Sequence, residues 1–186
     1  MPFEIESKYA LADPAAFLQQ AERQGVVWET AIEQIDRYLR HPARDFGQTG
    51  EALRLRRSDH EVFVTYKGPR QSHAVKTRRE IELPLTDDRD KFDSYAELFA
   101  ILGFEPVAEV RKIRRKAKLG QGDEAVELCF DQVDGVGDYL EIEAIAEEDR
   151  VAAAQSLVAG WAAKFGLGEP EPRSYLRLLM EKRNAS

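Results

Sequence analysis

The chain has 186 residues, 43% of them hydrophobic, which suffices for one sizeable core, and no Ser/Gly/Pro-rich linker divides it, so a single domain over 1–186 is expected. A net charge of -7 argues against a general nucleic-acid binder, and the single cysteine, Cys129, excludes an internal disulfide framework and suits a reducing compartment. No apolar run is long enough to span a bilayer, and the charged alternation of Met1-Pro2-Phe3-Glu4-Ile5-Glu6 is unlike a signal peptide, so a cytoplasmic protein with no membrane partner is expected.

Alternating residues predict a first strand over 2–10, with Phe3, Ile5 and Tyr9 on one face and Glu4, Glu6 and Lys8 on the other. Asp13-Pro14 then opens a helix running to about Gly25. A second strand is expected over 32–40 and a third over 51–58, where Leu53 and Leu55 oppose Arg54 and Arg56. The turn Ser58-Asp59-His60 joins it to a fourth strand, 61–68. The fifth, 75–84, gathers Lys76, Arg78, Glu80 and Glu82 on one side, and a helix follows from Asp90 to Gly103. The sixth, 107–119, aligns Lys112, Arg114, Lys116 and Lys118. After the turn Gly120-Gln121-Gly122-Asp123 comes the seventh, 124–132, with Glu127, Cys129 and Asp131 set against Val126, Leu128 and Phe130. The eighth, 138–145, sets Glu141 and Glu143 against Leu140, Ile142 and Ala144. Two helices complete the chain, at roughly Glu147 to Gly166 and Glu171 to Arg183.

Any one such charged face reads as the solvated side of an antiparallel sheet. Together they are unusual, because the strands are sorted by sign. From Ala52 to Arg79 there are eight Lys/Arg against two Asp/Glu, and from Arg111 to Lys118 six Lys/Arg and no acid. Like charges in register repel, so the pattern asks for compensation by a polyanion together with divalent cations. With four amphipathic helices to cover the apolar faces, the expected architecture is α+β: a closed eight-stranded antiparallel β-barrel with a polar interior and helices packed outside. His41, His60 and His73 sit in or beside turns and read as solvent-exposed, while Cys129 and Trp161 read as packing.

Glu4-Ile5-Glu6-Ser7-Lys8 has the form ExExK, and with it the chain resembles the CYTH family of triphosphate tunnel metalloenzymes. Further blocks carry the likeness: Gln34-Ile35-Asp36-Arg37-Tyr38, Ala52-Leu53-Arg54-Leu55-Arg56, Thr65-Tyr66-Lys67-Gly68-Pro69, Arg78-Arg79-Glu80-Ile81-Glu82, Lys112-Ile113-Arg114, the stretch from Asp131 to Glu143, and Pro172-Arg173-Ser174-Tyr175. The resemblance implies Mg2+, or alternatively Mn2+, held among Glu4, Glu6, Glu80, Glu82, Glu141 and Glu143, with Glu6 and Glu141 as the principal pair. It implies phosphate contacts from Lys8, Arg54, Arg56, Lys67, Arg78, Lys112, Arg114 and Arg173, with Lys8, Asp131 and Glu141 closest to the chemistry, and a homodimer. The planar forks of Arg54 and Arg56 suit phosphate oxygens on physical grounds as well.

Two activities fit. Water attacking the terminal phosphorus makes a triphosphatase for tripolyphosphate or a small organic triphosphate; the ribose 3'-hydroxyl of ATP attacking the α-phosphorus makes a class IV adenylate cyclase. The likeness is to the cyclase branch, but cyclases of this class share a His-Phe-bearing lead before ExExK, and here only Met1-Pro2-Phe3 precede Glu4. The expectation therefore leans to the triphosphatase. A non-catalytic polyphosphate-binding protein is a lesser alternative, disfavoured by the six inward acids.

Overall fold

A computed structural model describes residues 3–69 and 76–185, apart from the side chains of Lys76, Thr77, Arg78 and Asp123. All the expected elements form, in the order β1 (Phe3–Ala10), α1 (Pro14–Arg23), β2 (Ile32–Arg40), α2 (Phe46–Thr49), β3 (Ala52–Ser58), β4 (Glu61–Lys67), β5 (Lys76–Arg78), β6 (Glu80–Thr86), α3 (Phe92–Ile101), β7 (Glu105–Leu119), β8 (Val126–Val133), β9 (Gly137–Ala146), α4 (Val151–Lys164) and α5 (Tyr175–Ala185). Two details differ from expectation. The fifth strand is split at Arg79 into β5 and β6, and α2 is an additional short turn, held because Asp45 accepts hydrogen bonds from the amides of Gly47 (2.9 Å) and Gln48 (3.3 Å). Asp13 caps α1 as read from the sequence, accepting from the Ala16 amide at 2.9 Å.

The strands form one antiparallel sheet in the order β5-β1-β9-β8-β7-β2-β3-β4-β6. Its two end strands are successive in the chain, with Arg79 alone between them, so the sheet curls until β1 and β4 flank the same run. Lys67 of β4 reaches Glu4 of β1 at 3.1 Å. The β7–β8 hairpin depends on Gly120, whose φ is +75° and where a Cβ would lie 2.2 Å from the Glu124 carbonyl oxygen. That turn sets the register pairing Arg114 with Asp131.

Two cores lie outside the curl, between sheet and helices. Ile5, Leu128, Leu140 and Ile142 are fully buried under α1 and α4, where Phe17, Val158 and Phe165 meet them. On the far side Ile35, Leu53, Leu55 and Val62 pack with Phe46 and Phe92. α5 instead packs against the inner face, where Leu178 and Leu179 meet Tyr38, Val110 and Tyr139, which share strand faces with Asp36, Lys112 and Glu141. Leu140→Ala is expected to cost about 2–5 kcal/mol, since it removes a wholly enclosed side chain and leaves a cavity; urea unfolding monitored by circular dichroism measures this. Among the described residues no helix is long and apolar enough to cross a membrane.

Candidate active site

Because side chains alternate across a strand, burying the apolar face of each strand under helices turns the opposite face into the curl. The polar residues gathered there are buried: Glu6, Lys8, Gln34, Asp36, Arg54, Arg56, Thr65, Lys67, Lys112, Arg114, Asp131 and Glu141. Burying a charge is costly unless it is paired, and the pairing crosses from strand to strand. Asp36 on β2 accepts from Arg56 Nε at 2.7 Å and from Arg54 Nη1 at 3.1 Å, both on β3. On β8, Asp131 accepts from Lys112 Nζ at 3.0 Å and Arg114 Nε at 2.6 Å, both on β7. Arg114 Nη2 also donates to Glu141, and Lys67 pairs with both Glu4 and Glu80. Thr65 donates to Glu82 at 2.8 Å.

These pairs revise the electrostatic reasoning from sequence. Acid and base are sorted by strand, and basic β7 and β3 lie beside acidic β8 and β2, so part of the compensation is supplied within the protein, whereas β1, β9 and β8 set acid beside acid. Burial by itself would raise the pKa of Asp36, yet Arg54 and Arg56 overcome it and hold the carboxyl well below the usual range. Asp131 is likewise brought down to about 2 against its burial, by Arg114 and Lys112.

The carboxylates on β1 and β9 are arranged differently. Register sets Glu6 opposite Glu143 and Lys8 opposite Glu141. Oxygens of Glu4, Glu6 and Glu143 all lie within 4.8 Å of one another. Burial, with Glu141 and Glu6 nearby, pushes Glu143 up to about 7 despite Arg114, and burial also raises Glu4. Three convergent carboxylates offer only hard oxygen donors and carry repulsion that a cation relieves, so the set fits a divalent ion such as Mg2+. The resemblance put Glu6 and Glu141 at the centre of the metal set; in the structure Glu143, also of that set, stands beside Glu6, and Glu141 pairs with Arg114. Glu80 adjoins this set, side by side with Glu4 and sharing Lys67 with it, while Glu82 lies further round the wall on Thr65.

A sign follows for pH. Glu143 holds its proton in the folded protein at pH values where the unfolded chain, with an ordinary value of 4.5, has released it. Its contribution to stability is present below about 4.5 and lost as the pH rises towards about 7. The melting temperature of metal-free protein is expected to fall across that window, Glu143→Gln to flatten the fall, and Mg2+ to raise the melting temperature most at the upper end. Differential scanning calorimetry with and without Mg2+ measures all three.

Lys8 and Arg173 meet through the Arg173 backbone. Lys8 Nζ donates to the Arg173 carbonyl oxygen and lies 4.1 Å from the centre of the Tyr175 ring. The Arg173 guanidinium turns outward to Glu171 and Glu181 and is 41% exposed. The side chain of Arg78 lies outside the described ones; its backbone pairs with Glu4. Of the histidines, His60 is 79% exposed, His41 packs on the rings of Phe46 and Phe104, and His73 lies outside the described residues. Sequence reasoning passed over Asp36, Gln34, Thr65 and Tyr175. Parity within the second strand was the available signal for Gln34 and Asp36, which share a face pointing at Arg54 and Arg56; Tyr175, on a helix, was marked only by its place in the block Pro172-Arg173-Ser174-Tyr175.

Comparison with known proteins bears on the family and the fold. The profile of the CYTH domain matches residues 2–175. A Methanocaldococcus jannaschii protein named "Putative adenylate cyclase MJ0240" is 38% identical over 152 residues, covering 80% of this chain and 82% of that protein. The solved structure of the PH1819 protein from Pyrococcus horikoshii superposes with a TM-score of 0.84 at 37% identity, covering 97% of this chain and 99% of that one. A structure from Vibrio parahaemolyticus, described as a "putative adenylate cyclase", gives 0.79 at 25% identity, over 96% of this chain and 98% of that one. With the match extending over nearly its whole length, and its ExExK strand facing a wall of buried bases, the chain belongs to the CYTH domain family.

Proposed function

We propose that the protein is a divalent-metal-dependent triphosphatase that hydrolyses tripolyphosphate or a small organic triphosphate, inside a barrel closed where residues 76–86 bridge β1 and β4. The observation that carries this reading is the convergence of Glu4, Glu6 and Glu143 beside six buried bases, Lys8, Arg54, Arg56, Lys67, Lys112 and Arg114. The forks of Arg54, Arg56 and Arg114 match non-bridging phosphate oxygens, and Lys8 and Lys112 add point charges. Asp36 and Asp131 hold the forks in place until substrate takes a share of their donors. Asp131, with both oxygens engaged, orients Lys112 and Arg114. Glu4, Glu6 and Glu143 would hold Mg2+ or Mn2+, which when bound neutralises phosphate charge and lowers the pKa of coordinated water.

A class IV adenylate cyclase is the second reading, favoured by the name of the 38% identical relative. Incubation with tripolyphosphate, thiamine triphosphate or ATP, each with Mg2+ or Mn2+, followed by chromatography, separates the two. Phosphate release is the expected result. Cyclic AMP formed from ATP faster than phosphate is released would reverse the order, and tight binding without turnover would point to a polyphosphate-binding protein.

A further inference from the structure

The Tyr175 hydroxyl stands out because it is buried and, among the described residues, has no hydrogen-bond partner. The residue is 6% exposed and stands in the first turn of α5, an 11-residue helix. Its ring is edge-on to Tyr139, with centroids 5.3 Å apart, and has Lys8 Nζ at 4.1 Å and Lys112 Nζ at 5.3 Å. The charged groups acting on its hydroxyl are Glu141, Asp131 and Arg114, which puts that hydroxyl on the inner side of the basic wall. Asp131 is the neighbour that acts on it by hydrogen bonding as well as by charge, but it stands outside full hydrogen-bond geometry, and its two oxygens already take three donors from Arg114 and Lys112. A tyrosine serving only to pack α5 needs no hydroxyl there, and Phe would avoid desolvating one.

We propose that Tyr175 is a substrate-binding residue whose hydroxyl donates a hydrogen bond to a non-bridging oxygen of the phosphoryl group lying deepest against α5, between Lys8 and Lys112. The proposal rests on the triphosphatase reading and adds to it a contact from the helix. A neutral donor beside two ammonium groups adds direction to their charge, fixing one oxygen of the phosphoryl group rather than merely attracting it. Donating to an anion is also the role that suits a hydroxyl whose own ionisation is pushed out of reach by burial and by Glu141 and Asp131.

Tyr175→Phe tests this with three readouts on the full chain: melting temperature, steady-state kinetics with tripolyphosphate and Mg2+, and calorimetric titration with tripolyphosphate. The expected result is an unchanged or higher melting temperature, together with a KM and a binding constant weakened roughly tenfold or more, the size of a hydrogen bond to a charged group. A melting temperature that falls would show that the hydroxyl has a structural partner and would overturn the proposal. So would unchanged KM and binding in the variant while the wild type binds or turns over tripolyphosphate; the triphosphatase reading would then stand without Tyr175. Wild-type protein that neither binds nor hydrolyses tripolyphosphate would refute that reading itself and the Tyr175 contact with it.

Discussion

Glu6→Gln is expected to reduce phosphate release from tripolyphosphate to background while leaving the fold in place. The substitution keeps the shape of the side chain and removes one of three converging negative charges, and a hard divalent cation loses an anionic ligand for which an amide oxygen is a poor replacement. A purely structural carboxylate at this position would behave oppositely: its loss would unfold the protein, with activity falling in proportion to the folded fraction. The two cases separate on melting temperature without metal, which is expected to hold or rise as repulsion among Glu4, Glu6 and Glu143 is relieved. Calorimetric titration with Mg2+ should show weakened binding, and retained full activity would remove the metal role assigned to this group.

The largest effect on stability and activity together is expected at Arg114. Its guanidinium is buried and bonded to both Asp131 and Glu141, so Arg114→Ala takes from Glu141 its buried guanidinium and leaves Asp131 with Lys112 alone. Breaking a buried pair in this way costs about 3–5 kcal/mol, which for a chain of this size lowers the melting temperature by roughly 6–20 °C. Arg114→Lys isolates the chemistry. The charge is kept and the fold survives, but a point charge cannot present two parallel donors, so kcat/KM for tripolyphosphate is expected to fall by at least about tenfold. Thermal melts of both variants beside steady-state kinetics of Arg114→Lys check the two halves of this statement.

Much of the site can be read along the chain because period-two alternation is a local property. Glu4, Glu6 and Lys8 share a face by geometry alone, as do Arg54 with Arg56 and Lys112 with Arg114, and the helices that cover the opposite faces show themselves through caps and breakers such as Asp13-Pro14. What alternation cannot say is which strand lies beside which. Asp36 looked unremarkable within its own strand and proves to hold Arg54 and Arg56, because β2 is neighbour to β3. The choice of Glu143 over Glu141 beside Glu6 likewise depends on the β1–β9 register, where a shift of two residues keeps the same face and exchanges the partners.

The sequence by itself determined that the chain makes a sheet with one charged and one apolar face, which residue types line the charged side, and that the ExExK strand belongs to it. Only the tertiary structure decided how those charges are shared: Glu4 and Glu6 with Glu143, Glu141 with Arg114, Asp131 with Lys112 and Arg114, and α5 bringing Tyr175 against Lys8. The physical reason is range. A strand's faces are set by neighbouring residues along the backbone, whereas ion pairing falls off within a few ångströms and so depends on contacts between segments far apart in the chain.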